Sequence, residues 1–168
     1  MPKCGICGEE HELLEPTFRR PEAYVRLDAR TRNEDAQADD NLCRIRRPGE
    51  PSRYFVRGVL PVSVPERPEG LMWGLWAEVS EAAFRRVLEL WSAPDQSSEP
   101  PFDAELANVI PSYTDTLGLP MRVYLTGPTT RPRFEFDANA HHPFVEECRR
   151  GVDAHRASEW NTLIEEAG

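Results

Sequence analysis

Two apolar stretches, Tyr54–Val62 and Leu71–Val79, constrain this chain more than any other feature. The first reads Tyr-Phe-Val-Arg-Gly-Val-Leu-Pro-Val and is rich in β-formers. The second, Leu-Met-Trp-Gly-Leu-Trp-Ala-Glu-Val, is the most apolar run in the sequence and reads as a central strand. Facing each other across the Pro65–Gly70 loop, they predict a hairpin, with Gly58 and Pro61 marking a bulge or an edge. Ser80 is a suitable N-cap, and Phe84, Val87, Leu88 and Trp91 recur at three- and four-residue steps, which predicts a helix with one buried face that Pro94 ends.

The remaining elements are shorter. Leu42–Ile45 predicts a short strand, and Leu106–Ile110 a short strand or turn. Met121–Leu125 and Arg133–Phe136 predict two strands joined by a Gly127-Pro128 turn. Residues 28–41 read as an acidic, polar connection without a pattern. Pro143 occupies a first-helical position before Phe144, Val145 and Cys148, and a last helix follows Gly151 with Val152, Trp160, Leu163 and Ile164 apolar. This order favours an α+β fold: an antiparallel sheet with helices packed on one face, preceded by an N-terminal zinc-knuckle-like segment. With no repeat and no linker, residues 1–168 read as a single domain, divided into a metal-knuckle segment (1–15), an α+β body (16–152) and a C-terminal helix (153–168).

At 168 residues one core suffices without a disulfide framework. The net charge of -9 excludes a general nucleic-acid binder, which needs clustered basic residues to release phosphate counterions. Lys3 is the one lysine, and the arginines are scattered or flanked by acids, so they form no phosphate-reading set. The N-terminus, Met-Pro-Lys-Cys-Gly, has no apolar run behind it, and no stretch is long enough to span a bilayer, so no membrane partner is expected and a cytoplasmic location is. In that reducing setting four cysteines read as thiols or metal ligands rather than disulfides.

Cys4-Gly5-Ile6-Cys7-Gly8 is the sharpest local motif: two thiolates three residues apart chelate one ion while the glycines let backbone amides turn towards sulfur. His11 offers a third ligand and Cys43 a fourth, a thiolate and imidazole set that suits zinc. Residues 1–15 hold too few apolar side chains to order by burial, so zinc held by Cys4, Cys7, His11 and Cys43 would be structural. The alternatives are reduced core thiols, or redox chemistry, which lacks the strand before the pair and the helix after it. Cys148, beside Phe144 and Val145, reads as a core residue.

His141 and His142, with Asp137 and Asp115, form the other acid–base candidates, although a histidine before a helix start also serves as a cap and Asp in Tyr113–Gly118 suits a turn. Trp73 and Trp76 point to opposite faces of one strand, so one packs in the core while the other can line a cleft, although a core role only is the favoured reading. Arg57 either faces solvent or pairs with Glu78 across the hairpin.

Several blocks in order carry a family resemblance: Cys4–Gly8 with His11, Asn41–Ile45, Tyr54–Gly58, Trp73–Trp76, Glu99–Phe102, Asp115–Leu119 and His142-Pro143. Through them the chain resembles, from Cys4 to about Val152, an uncharacterised bacterial family termed domain of unknown function 2199. It departs from that pattern at Asn41, where Asp is usual, at Thr114, where Pro is usual, and at Cys148, where Gln is expected. The resemblance implies a self-contained domain and carries no established activity over to it. Two functions are therefore expected in parallel. The first is a non-enzymatic binding or accessory module with structural zinc that docks a protein or small-molecule ligand. The second is a hydrolase using Asp115 and His142 in a cleft near Trp73 or Trp76.

Overall fold

The computed structural model describes residues 13–167. Its elements are α1 (Glu22–Val25), α2 (Ala29–Asp35), β1 (Ala36–Ala38), β2 (Leu42–Ile45), β3 (Arg53–Val64), β4 (Arg67–Val79), α3 (Glu81–Leu90), β5 (Phe102–Leu106), β6 (Pro120–Tyr124), β7 (Arg133–Phe136), α4 (Pro143–Arg150) and α5 (Ala154–Ala167). The expected hairpin is β3–β4, in register from Tyr54 opposite Val79 to Val62 opposite Leu71. It turns at Pro65–Glu66, tighter than the expected loop, because β4 begins at Arg67.

Tyr54–Gly58 of β3 and Trp73–Ala77 of β4 are buried on both faces, which is why this part of β4 reads as an unbroken apolar run rather than an alternating one. Tyr54, Val56, Leu60 and Val62 of β3 join Leu71, Trp73, Leu75 and Ala77 of β4 in the main core. From the opposite face Phe55 and Trp76 meet Cys43, Ile45 and Ala107 in a second, smaller core covered by Ala23, Tyr24 and Leu27.

The fold is mixed α+β, and the sheet closes on itself. The strands follow chain order β1 to β7, and β3 also pairs with β7, so β3 through β7 form a small closed barrel. At 12 residues β3 is long enough to serve two partners on one edge. Its first part pairs with β2 antiparallel, and Val59 then meets Arg133 of β7 in parallel. Gly58 sits at this handover, where a Cβ would lie 2.6 Å from the Phe134 ring and 2.7 Å from the Pro132 carbonyl oxygen. Closure through the parallel β3–β7 contact goes beyond the antiparallel sheet with helices on one face expected from sequence. Helices α3, α4 and α5 contribute Phe84, Val87, Phe144, Cys148, Ala157 and Trp160 to the main core, while α1 lies over the second.

Helix α3 starts as expected, with Ser80 Oγ accepting from the Ala83 N–H at 3.1 Å. Phe84 and Val87 are buried, but Leu88 is 46% and Trp91 38% exposed, so the expected four-residue buried face is only half buried. The buried arc of Ala83, Phe84 and Val87 is centred near Val87, and Leu88 stands about 100° round the helix from it. Trp91 is the C-cap, beyond the last turn that packs on the sheet.

Candidate functional site

Where β3 passes from β2 to β7, the outer surface folds into a cleft of about 890 Å³, against about 340 Å³ for the cleft beside Cys148. Its floor comes from β3 and β4, whose outward positions place Val59, Pro61 and Met72 there. Trp91 enters from the end of α3, and the β6–β7 loop supplies Thr126, Thr130 and Arg131. Met72 and Trp91 are among the few large apolar side chains left exposed, at 41% and 38%. The other three tryptophans, Trp73, Trp76 and Trp160, are at most 1% exposed. The loop is held by its own polar groups: Thr126 Oγ1 lies 2.6 Å from Thr130 Oγ1 and donates to the Arg131 carbonyl at 2.9 Å.

Arginines gather at one end. Arg131 Nε donates to Asn41 Oδ1 at 3.2 Å, and no carboxylate among the described residues lies within ion-pair distance of Arg131. Arg57, one outward position along β3 from Val59, is 7% exposed. Its backbone N–H donates to the Asn41 carbonyl at 2.9 Å, its Nη1 to the Asp40 carbonyl at 3.0 Å, and its guanidinium lies 5.9 Å from the Trp76 ring centre. Its buried Nε has no hydrogen-bond partner. Burial first, and the charge of Arg131 next, lower its proton affinity. The expected choice between solvent and Glu78 gives way to this buried position, because Glu78 is taken by Arg53 in a two-point contact at 2.7 and 2.9 Å.

Of the four expected zinc ligands, Cys4, Cys7 and His11 lie outside the described residues. Cys43 is 1% exposed and packs with Ile45, Phe55 and Trp76. Burial pushes its thiol up to about 12. A zinc ligand is a thiolate, so Cys43 suits a metal only where a cation offsets that burial. Among the described residues no group of three His, Cys, Asp or Glu stands together. Because the folded thiol holds its proton more tightly than an unfolded one near 8.5, its contribution to stability is full below about pH 8.5 and is lost as pH rises towards 12. We expect iodoacetamide at neutral pH to leave Cys43 and Cys148, both buried, unmodified in the folded protein and to label both in urea, as read by peptide mass mapping. Rapid native labelling at Cys43 would remove it from the core.

His142 is the N-cap of α4: its Nδ1 accepts from the Phe144 N–H at 3.0 Å, and its Nε2 lies 2.5 Å from the Thr114 carbonyl oxygen. Both ring nitrogens are thus engaged by backbone, which fixes Nε2 as the protonated one. The contact brings His142 next to the turn holding Asp115, whose φ is +54° and which is exposed. His142 thus touches the residue before Asp115, and Trp73 and Trp76 offer the pair no cleft, being 1% and 0% exposed. His141 is exposed and lies 3.8 Å from Glu146, and Asp137 lies 3.6 Å from Arg122.

Sequence reading missed a polar cluster beneath that turn. Arg156 of α5 donates to both carboxylate oxygens of Glu147 on α4, at 2.8 and 3.1 Å, and to the Tyr113 hydroxyl at 2.8 Å. Trp160 Nε1 donates to the same hydroxyl at 3.1 Å, and Tyr113 donates to Glu147. Its one sequence signal is an Arg four residues before Trp160 on the last helix.

A family model described as an uncharacterized protein conserved in bacteria matches residues 3–152. No curated protein and no solved structure matches the chain. The match takes in the Cys4–Cys7 pair, the whole barrel and α4, and the chain belongs to this bacterial family, domain of unknown function 2199.

Proposed function

We propose that this protein is a non-enzymatic binding domain whose ligand sits in the cleft on the outer face of β3 and β4. The observation that carries the reading is the pairing of Trp91 and Met72, exposed large apolar side chains, within a cleft of about 890 Å³ that polar loop groups surround. Sites for small molecules have this size, and here apolar side chains of β3, β4 and α3 face Asn41, the loop threonines and Arg131. A small-molecule ligand fits such a concave cleft better than a protein surface does.

The proposal includes a structural zinc held by Cys4, Cys7 and His11 with Cys43 as the fourth ligand, and a cytoplasmic setting in which those thiols stay reduced. What supports it is the Cys-x-x-Cys pair flanked by glycines. Zinc content by mass spectrometry on wild type and on single Cys→Ser variants tests it. We expect near one zinc per chain, lost on Cys4→Ser, Cys7→Ser and Cys43→Ser and kept on Cys148→Ser. Zinc retained in Cys43→Ser would leave Cys43 as a core thiol, and a metal-free wild type purified without chelator would end the zinc part. The binding part is tested separately, by screening fragments for displacement of the Trp91 indole N–H resonance. A hydrolase built on Asp115 and His142 has less to support it, since both His142 ring nitrogens are occupied.

A further inference from the structure

Arg57 and Arg131 pose a question that the fold alone does not answer. A buried guanidinium ordinarily has a carboxylate partner, because an uncompensated charge in the interior is costly. Arg57 has a carbonyl, an aromatic face and an unpartnered buried Nε instead. Among the charges that act on it most strongly, Arg131, Arg20 and Arg19 outnumber Asp40. In a chain of net charge -9 this is a local excess of positive charge. It stands at the end of the cleft marked by Asn41, which takes the Arg57 N–H on its backbone and Arg131 Nε on its side chain.

We propose that this end of the cleft is an anion subsite. Arg131, exposed and with no carboxylate at ion-pair distance among the described residues, donates to the carboxylate or phosphate of a small organic anion, while buried Arg57 supplies a fixed positive charge behind it. The apolar body of the same ligand lies along Met72 and Trp91. A guanidinium suits either anion because its planar donors match two oxygens at once. Asn41 fits this role through its neutral amide: it orients Arg131 through Oδ1 without cancelling its charge. The inference rests on the cleft being the binding site and adds the class of ligand.

Three probes of similar bulk separate the possibilities in nuclear magnetic resonance titrations that follow the Trp91 indole and the Asn41 and Arg131 amides: 4-phenylbutyrate, its neutral amide 4-phenylbutyramide, and phenyl phosphate. We expect phenylbutyrate to bind at least about tenfold more tightly than the amide, the value of a charge-assisted hydrogen bond. Arg131→Gln should reduce phenylbutyrate to the affinity of the amide and leave the amide unchanged. Asn41→Asp should do the same by placing a fixed carboxylate against Arg131. Both variants alter partly or fully exposed side chains, and thermal melts matching wild type would show that folding is not the cause. Binding of phenyl phosphate as well would extend the subsite to phosphate esters, and its absence would confine it to carboxylates. Equal binding of acid and amide, or an Arg131→Gln variant that keeps the difference, overturns the anion subsite while leaving the cleft as a binding site. Failure of all three probes to move any cleft resonance overturns both.

Discussion

Trp76→Ala should lower the free energy of unfolding by about 3–5 kcal/mol, whereas Trp91→Ala should change it by no more than about 0.5 kcal/mol. Trp76 is fully buried in the second core, and its indole donates to the Phe18 carbonyl at 3.1 Å while its backbone N–H donates to Asn108 Oδ1 at 2.7 Å. Truncation therefore leaves a cavity and an orphaned carbonyl, and it loosens the segment that Asn108 also holds through the Arg20 carbonyl at 3.1 Å. Trp91 touches the cleft and is 38% exposed, so its removal opens no void. Urea midpoints at unchanged slope measure both. Equal losses would place Trp91 in the core after all.

That contrast shows where the sequence was readable. The hairpin, the Ser80 cap and the Pro143 start follow from local chemistry that a single sequence displays, and each stands in the structure where it was expected. The two-sided burial of β4 was legible too, as a run without alternation. Trp91 was not, because a stripe at helical spacing records a face but not where the surface packed against it ends. Residues 28–41 hid α2 for another reason. Asp28 caps that helix, accepting from the Thr31 N–H at 2.8 Å, yet the seven residues behind it bury nothing fully and so carry no apolar period. Strand β5, Phe102–Leu106, was displaced in the reading towards Ile110 because it adjoins a proline-rich stretch.

The candidate site lay further out of reach. Closure of the barrel rests on Val59 meeting Arg133, a parallel contact between residues far apart in the chain, with Gly58 making room for Phe134. No local pattern announces such a pairing. The cleft exists because of it, since its walls come from β3, β4, the end of α3 and the β6–β7 loop at once. Asp115 and His142, by contrast, were singled out for their chemistry, and the structure gives His142 a capping bond to Phe144 and a link to the Thr114 carbonyl.

Arg156→Met should cost about 2–3 kcal/mol and move the acid limb of the stability profile to higher pH. Removing one partner of a buried ion pair costs more than this, but the side chains here are 28% and 17% exposed, and water softens the loss. Burial pushes the Glu147 carboxyl up, yet the hydrogen bonds from Arg156 and Tyr113, with the guanidinium charge, outweigh that and hold it below its ordinary value. A depressed folded-state value means that Glu147 contributes its stability above about pH 4.3, and that the contribution is lost as pH falls through the folded value. Without Arg156, burial is left to act on a carboxylate with one donor fewer, so protonation and the loss of stability begin at higher pH. Tyr113 works in the other direction. Burial, then its bond to Glu147, raises its hydroxyl to about 12, so its contribution is full below about pH 10 and declines as pH rises towards 12. Tyr113→Phe should therefore cost stability near neutrality, by leaving the donors of Arg156 and Trp160 without their shared acceptor, and cost less as pH climbs above 10. Denaturation midpoints of wild type, Arg156→Met and Tyr113→Phe across pH 3–11 check both limbs. A wild-type advantage over Arg156→Met that stays constant from pH 3 to 7 would show that Glu147 gains nothing from the guanidinium, and that α4 and α5 are joined by apolar packing around Phe144 and Trp160 alone.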